Sequence, residues 1–178
     1  MSTAASRPLS ETARRIVLMG VAGSGKSAVG AALAGRLGAV YVDGDDLHPP
    51  ENIAKMSRGE PLDDADRRPW LMRVGERLAD PQGILIIGCS ALKRRYRDLI
   101  REQARAPVVF VHLAGTKALI AARMAERSGH FMPTSLLDSQ FAALEPPGPD
   151  EDAVTVDIDK PLEALVAEIA ARLAEIRA

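Results

Sequence analysis

Lys26, Ser27, Asp43, Asp45, Arg123 and Arg127 are of types and at spacings suited to phosphoryl chemistry. Lys26 and Ser27 close the run Gly20-Val21-Ala22-Gly23-Ser24-Gly25-Lys26-Ser27, which fits G-x-x-x-x-G-K-[ST], the Walker A pattern of a phosphate-binding loop. Its glycines permit backbone dihedrals that a Cβ would forbid, so successive N–H groups can form a nest for phosphate oxygens. A helix starting near Gly25 adds free N–H groups and the positive end of its dipole. Lys26 would then reach the terminal phosphates of ATP, and Ser27 would place its hydroxyl on Mg²⁺. Gly20, Gly23, Ser24, Gly25 and Ala28 complete the expected nucleotide cradle.

An acidic turn, Asp43-Gly44-Asp45-Asp46, offers the carboxylates. Many phosphate-loop proteins take a metal-binding Asp from the end of an apolar strand. The apolar run here ends in Gly88-Cys89-Ser90, without a carboxylate, so the acidic turn is the best substitute. One of Asp43 and Asp45 would serve Mg²⁺, and the other would accept a proton from a substrate hydroxyl. Arg123 and Arg127 are four residues apart, on one face of an expected helix, with His130 just beyond. That face reads either as a lid over ATP or as a solvated surface. Lys93-Arg94-Arg95-Tyr96-Arg97 is a basic run of the kind usually found on solvated faces. Ser90 and Lys93 nevertheless fall near a strand end, where one or two such groups would reach an anionic substrate. Trp70 reads as a packing anchor, His112 as structural, and Cys89 as a buried small residue with nothing to activate its thiol.

These residues need a scaffold. Arg15–Met19 is a short apolar strand before the loop, and Ala28–Leu37 a helix after it, with Gly38 as its C-cap. A second strand, 39–42, completes a βαβ unit. In such sheets ligands bind beyond the carboxyl ends of the strands, so the loop and the acidic turn should share one crevice. Residues 47–81 show no strand pattern and read as an acceptor-covering insertion. It holds a short helix over 51–57, then a longer one capped by Asp63, with Asp66 three residues on and Pro69 near its first turns. Further strands are expected at 84–87, 108–113 and 154–158. Helices are expected at 92–105, 117–127 and 134–144, and a final one carries Leu162, Leu165, Val166, Ile169, Leu173 and Ile176 on one face. The fold class is α/β: a three-layer α/β/α P-loop NTPase domain with a five-stranded parallel sheet. It spans 15–178, with a flexible tail over 1–14 and a lid at about 123–135.

At 178 residues the chain fits one domain with a real core. Its formal net charge of −1 gives no global attraction to nucleic acid or an anionic membrane. The single cysteine rules out an internal disulfide. With no apolar run long enough for a span and no signal-peptide pattern at the start, a cytoplasmic protein is expected. A GTP switch would carry N-K-x-D, which is absent. Asp80-Pro81-Gln82-Gly83 fits that class's D-x-x-G, but it precedes the central strand and so cannot watch a γ-phosphate. From the residues alone, the chain is a phosphotransferase using Mg-ATP on an anionic acceptor.

The chain also resembles the gluconokinases, relatives of shikimate kinase and the nucleoside monophosphate kinases. The resemblance rests on Asp43-Gly44-Asp45-Asp46-Leu47-His48-Pro49, Asp66-Arg67-Arg68-Pro69-Trp70-Leu71, Cys89-Ser90-Ala91-Leu92-Lys93-Arg94-Arg95-Tyr96-Arg97, Gly129-His130-Phe131-Met132 and Ser139-Gln140-Phe141…Leu144-Glu145-Pro146-Pro147, besides the loop itself. It implies ATP-dependent phosphorylation of D-gluconate at its 6-hydroxyl, with a kinase for another small hydroxy acid as the alternative. It implies Asp45 on the acceptor's hydroxyls and Asp43 on the metal side. His48, Arg67, Ser90, Lys93 and Arg97 would grip gluconate, with His130 beside them. Arg123 and Arg127 would be lid arginines on the phosphates, Arg127 in a catalytic role with Lys26 and Asp45. Family members are often homodimers, so the resemblance implies one here. Ala22 and Ala28 depart from the family's usual Ser and Thr in the loop.

Overall fold

The computed structural model describes residues 9–10, 12–79, 82–126 and 134–176. Five parallel strands lie in the order β2-β3-β1-β4-β5: β1 Arg15–Met19, β2 Val40–Asp43, β3 Leu85–Gly88, β4 Val109–Ala114 and β5 Ala153–Asp157. β1 and β3 are flanked on both sides, which is why both read as unbroken apolar runs: a strand buried on both faces has no polar side.

Successive residues of a strand point to opposite faces. One face carries Ile16, Leu18, Val109, Val111 and Ile86 and packs against α1 (Lys26–Leu37) and α7 (Leu162–Ala174). The other carries Val17, Met19, Leu85, Ile87 and Phe110 and packs against α3 (Asp64–Ala79) and α4 (Arg94–Ala104). The three layers expected from the alternation are present. α5 (Lys117–Glu126) and α6 (Thr134–Ala143) add Ile120 and Leu137 to the first of these clusters, and α2 (Pro50–Ser57) reaches His48 and α3 through Asn52.

The local signals act as their chemistry requires. Gly38 closes α1 in the left-handed region, its N–H donating to Ala34 O. Asp63 and Asp66 bond reciprocally: the Asp66 N–H donates to Asp63 Oδ1 at 2.7 Å and the Asp63 N–H to Asp66 Oδ2 at 3.0 Å. Pro69 lies within α3 and does not end it.

Two of the expected segments make core contacts. Within 47–81, α3 buries Trp70, Leu71, Val74 and Leu78 and forms half of one helical layer, and Leu47 packs against the same cluster. The tail expected to be loose over 1–14 is anchored at its described end. Residues Thr12–Arg14 form a 3-10 turn, Ala13 is fully buried, and Leu9 packs against the core.

Candidate active site

The phosphate loop follows β1. Gly25 takes φ 97°, ψ 20°, a left-handed conformation closed to most side chains, and from it α1 begins at Lys26 with no side-chain cap. The first-turn N–H groups therefore stay available to an anion. The loop is braced from behind: the Gly20 N–H donates to Ser90 O at 3.2 Å, tying it to the segment after β3. Lys26 Nζ donates to the Gly20 and Val21 carbonyl oxygens, each at 3.0 Å. Burial lowers the Lys26 pKa, and the nearby Cys89, Asp45 and Asp43 act in the opposite direction.

β2 carries the acidic turn to the same end of the sheet. Asp43 pairs in register with Gly88, and a 3-10 turn follows over Gly44–Leu47. Gly44 sits against β3 so closely that a Cβ there would stand 2.2 Å from Gly88 O. The Asp45 N–H donates to Asp43 Oδ1 at 2.9 Å, which holds the first carboxylate and leaves that of Asp45 directed elsewhere. Burial, and then the charge of Asp43, raises the Asp45 pKa, with His48 and Lys26 opposing. Trp70 fixes this turn from α3, its indole Nε1–H donating to Gly44 O at 2.8 Å.

Loop and turn face one crevice of about 410 Å³. Gly23, Gly25, Lys26, Ser27 and Ala28 of the loop form one wall, Asp43, Asp45, His48 and Arg67 from the chain after β2 form the other, and Ser90 also lines the crevice. Gly20 and Ser24 belong to the loop but do not line the crevice, and the Ser24 side chain is buried. His48 stacks on Trp70 with ring centroids 4.2 Å apart and planes at 15°. Asn52 Nδ2 donates to Asp66 O at 2.8 Å and lies 3.2 Å from His48 Nδ1. With the amide oriented by that carbonyl, Nδ1 is the acceptor and Nε2 carries the proton. Burial lowers the His48 pKa, so the ring stays neutral near pH 7 and offers one donor.

The cationic candidates separate. Arg67 lines the crevice, with Nη1 3.4 Å from Tyr96 Oη and 3.6 Å from Asp64 Oδ1. Lys93 is not among the lining residues; its Nζ lies 3.8 Å from Asp64 Oδ1 and over the Tyr96 ring. Arg95 and the Tyr96 hydroxyl also bond to Asp64. One carboxylate thus gathers three cations, one of which, Arg67, lines the crevice.

Arg97 is a correction. Expected to grip a substrate, it is 0% exposed and turned away from the crevice. It donates to both carboxylate oxygens of Glu151, at 2.8 and 3.1 Å, and to the carbonyl oxygens of Ala91, Leu92 and Glu145. The Ala91 carbonyl it holds belongs to a residue at φ 44°, so Arg97 stabilises the kink that leads from β3 into α4. Arg123 is not in the crevice either: its Nη2 donates to Ile158 O at 2.7 Å, bracing the chain after β5. Arg127 and His130 lie outside the described residues, as does most of the expected lid.

Sequence reasoning passed over several crevice residues. Tyr41 lines it, its hydroxyl near Ser27, and its ring fits because Gly30 and Gly88 have no Cβ. Asp64 carried no signal as the common partner of three cations. The other is Gln140 of α6, whose side chain reaches the phosphate loop. Cys89 agrees with expectation: it is buried, and its thiol is pushed up to about 12 by burial.

Among the described residues no group of three or more His, Cys, Asp or Glu could hold a metal ion by itself. Mg²⁺ fits such a site, since it keeps its waters and takes one or two protein ligands together with substrate phosphates. Ser27 and Asp43 are the groups present for that role.

A parallel sheet in this order, a phosphate loop after its central strand and an acidic wall opposite define a P-loop kinase. A family profile described as an AAA domain matches residues 16–147. The chain is 49% identical over 155 residues to the thermoresistant gluconokinase of Escherichia coli K12, covering 85% of this chain and 88% of that one. The crystal structure of a gluconokinase from Sinorhizobium meliloti 1021 superposes with a TM-score of 0.83 at 50% identity, over 95% of both chains. A shikimate kinase from Bacteroides thetaiotaomicron, at 18% identity and a TM-score of 0.65, shares the fold. The chain belongs to the gluconokinase family. It is an enzyme, a kinase with ATP as its nucleotide substrate.

Proposed function

We propose that this enzyme transfers the γ-phosphoryl group of ATP to the 6-hydroxyl of D-gluconate, giving 6-phospho-D-gluconate. The observation that carries the reading is the two-walled crevice: Lys26 and Ser27 on one side, Asp45, His48 and Arg67 on the other. The loop N–H groups and Lys26 hold the phosphates in line with the acceptor. Asp45 accepts the proton of the attacking hydroxyl, a task suited to a carboxylate whose pKa is raised toward working pH. The His48 Nε2–H donates to an acceptor hydroxyl. Arg67, with Lys93 on the same Asp64 carboxylate, supplies the cationic end for the acceptor's carboxylate. Mg²⁺, held with the nucleotide by Ser27 and Asp43, would neutralise charge on the phosphoryl oxygens. A lid role for Arg127, an acceptor contact from His130 and a homodimer carry over from the family resemblance.

The test is a coupled ADP-release assay with Mg-ATP across D-gluconate, shikimate, glycerate and nucleoside monophosphates. Saturable turnover with gluconate, well above the others, is expected. Preference for a different acid would keep the phosphate chemistry and overturn the acceptor. Sedimentation of the purified protein checks the dimer.

A further inference from the structure

Gln140 belongs to none of the roles assigned above. It sits in α6 with its side chain half-buried, and its Oε1 accepts a hydrogen bond from the Ala22 N–H at 2.6 Å, across 118 residues of chain. Ala22 is the third residue of the phosphate loop, and both residues line the crevice with Lys26 and Asp45. A backbone N–H can only donate, so the amide oxygen must face Ala22. The NH₂ half is then the other branch of the side chain, and it makes no hydrogen bond among the described residues. Gln140 thus brings two N–H donors to the place where a phosphoryl group would pass.

Its position is fixed from outside the crevice. The Glu145 N–H, just after α6, donates to Leu92 O at 2.8 Å, and the Arg94 N–H returns a bond to Glu145 Oε2 at 2.8 Å. Lys117 of α5 pairs with Asp138. A donor held in place before the reaction loses little freedom on binding, which is what electrostatic stabilisation of transferring oxygens requires. The neutral side chain matters as well. A carboxylate here would accept the same Ala22 bond but would repel the phosphates.

We propose that Gln140 is a phosphoryl-binding residue: the Ala22 N–H holds its carbonyl oxygen so that its NH₂ donates to an oxygen of the group in transfer. This rests on the phosphotransfer reading of the crevice but not on the identity of the acceptor.

Two variants separate this from a purely positional role. Gln140→Leu removes both halves of the amide. Gln140→Glu keeps an acceptor for Ala22 and loses the donors. Both should lose roughly 10²-fold in kcat, the scale of one oxyanion donor. The gluconate KM should stay unchanged, and the Tm of Gln140→Glu without nucleotide should match wild type. The rise in Tm caused by ATP, measured without acceptor, should shrink in both variants; shrinkage in Gln140→Glu alone, with Gln140→Leu like wild type, would be charge repulsion and would overturn the proposal. Wild-type kcat and a wild-type ATP-induced rise in Gln140→Glu, with only Gln140→Leu impaired, would assign Gln140 to holding the loop and overturn the proposal. Because the ATP-induced rise needs no acceptor, it decides the matter even if gluconate proves to be the wrong substrate.

Discussion

The two walls of the crevice are built in opposite ways. The phosphate wall is local: consecutive residues, mostly backbone N–H groups, set by the turn that joins β1 to α1. The acceptor wall is assembled from distant parts of the chain. Asp45 comes from the turn after β2, His48 from the approach to α2, and Arg67 and Trp70 from α3. Its geometry depends on side chains holding one another: Trp70 on Gly44, Asn52 on His48, Asp64 on Arg67 and Lys93. A backbone nest tolerates change in the side chains around it, whereas an interlocked wall transmits it. The contrast explains how one phosphate loop serves many kinases while acceptors differ.

Several substitutions would break or sharpen that contrast. The largest effect should come from Lys26→Ala, which removes the one side-chain charge that the described phosphate loop brings to the crevice. A fall in kcat of about 10³-fold is expected, with the fold unchanged by circular dichroism. Near-normal kcat would mean that the backbone nest suffices alone.

Next is the buried pair behind the acceptor wall. The Glu151 side chain is 1% exposed and bonds Arg97 and Arg101. Burial alone would raise its pKa, but the bonds from Arg97, Arg101 and the Gly148 N–H outweigh it and hold the carboxyl down to about 2, from 4.5. A depressed folded pKa means that its stabilisation is full above pH 4.5 and disappears as pH falls toward 2. Glu151→Gln should lower stability by about 3–5 kcal/mol at neutral pH. Urea titrations at pH 7 and pH 3 should show the deficit shrinking at the lower pH. Below its transition, the variant should keep its acceptor KM. A selective rise in that KM would return Arg97 to the substrate site.

Trp70→Phe should be milder. It keeps the ring against His48 but removes the indole donor to Gly44 O, costing about 1–2 kcal/mol. Steady-state kinetics should show a higher acceptor KM and an unchanged ATP KM. The smallest effect should come from Asp63→Ala, which removes one half of the bonded pair at the start of α3 and costs about 1 kcal/mol. Thermal denaturation reads it, and neither KM should move.

The same division set what the sequence could convey. Features governed by near neighbours were legible: the loop, the β2 turn, the Gly38 cap, the Asp63–Asp66 pair and the apolar interior strands. So was the sharing of one crevice by the loop and the acidic turn, because it follows from the parallel sheet. Arg97 was misplaced because its residue type and its motif suit an anion site. Only the fold brings Glu151, more than fifty residues away, to cancel its charge. Gln140 and Tyr41 were missed for a similar reason. An amide and a phenol lack a spacing rule, and their meeting with Ala22 and Ser27 depends on how helix and sheet pack. Trp70 was read correctly as an anchor, but what it anchors, the acidic turn, needed the three-dimensional arrangement.

The central claim is that Asp45 serves the acceptor and not the nucleotide. The direct measurement is Asp45→Asn, with ATP affinity by calorimetry and turnover by ADP release across pH. ATP affinity should be preserved, and kcat should fall by about 10²–10⁴-fold. The wild-type enzyme should lose activity as pH falls through a pKa above the ordinary 3.8 of aspartate, a limb absent from the variant. Normal kcat with weakened ATP binding would contradict the account and give the proton-accepting role to Asp43.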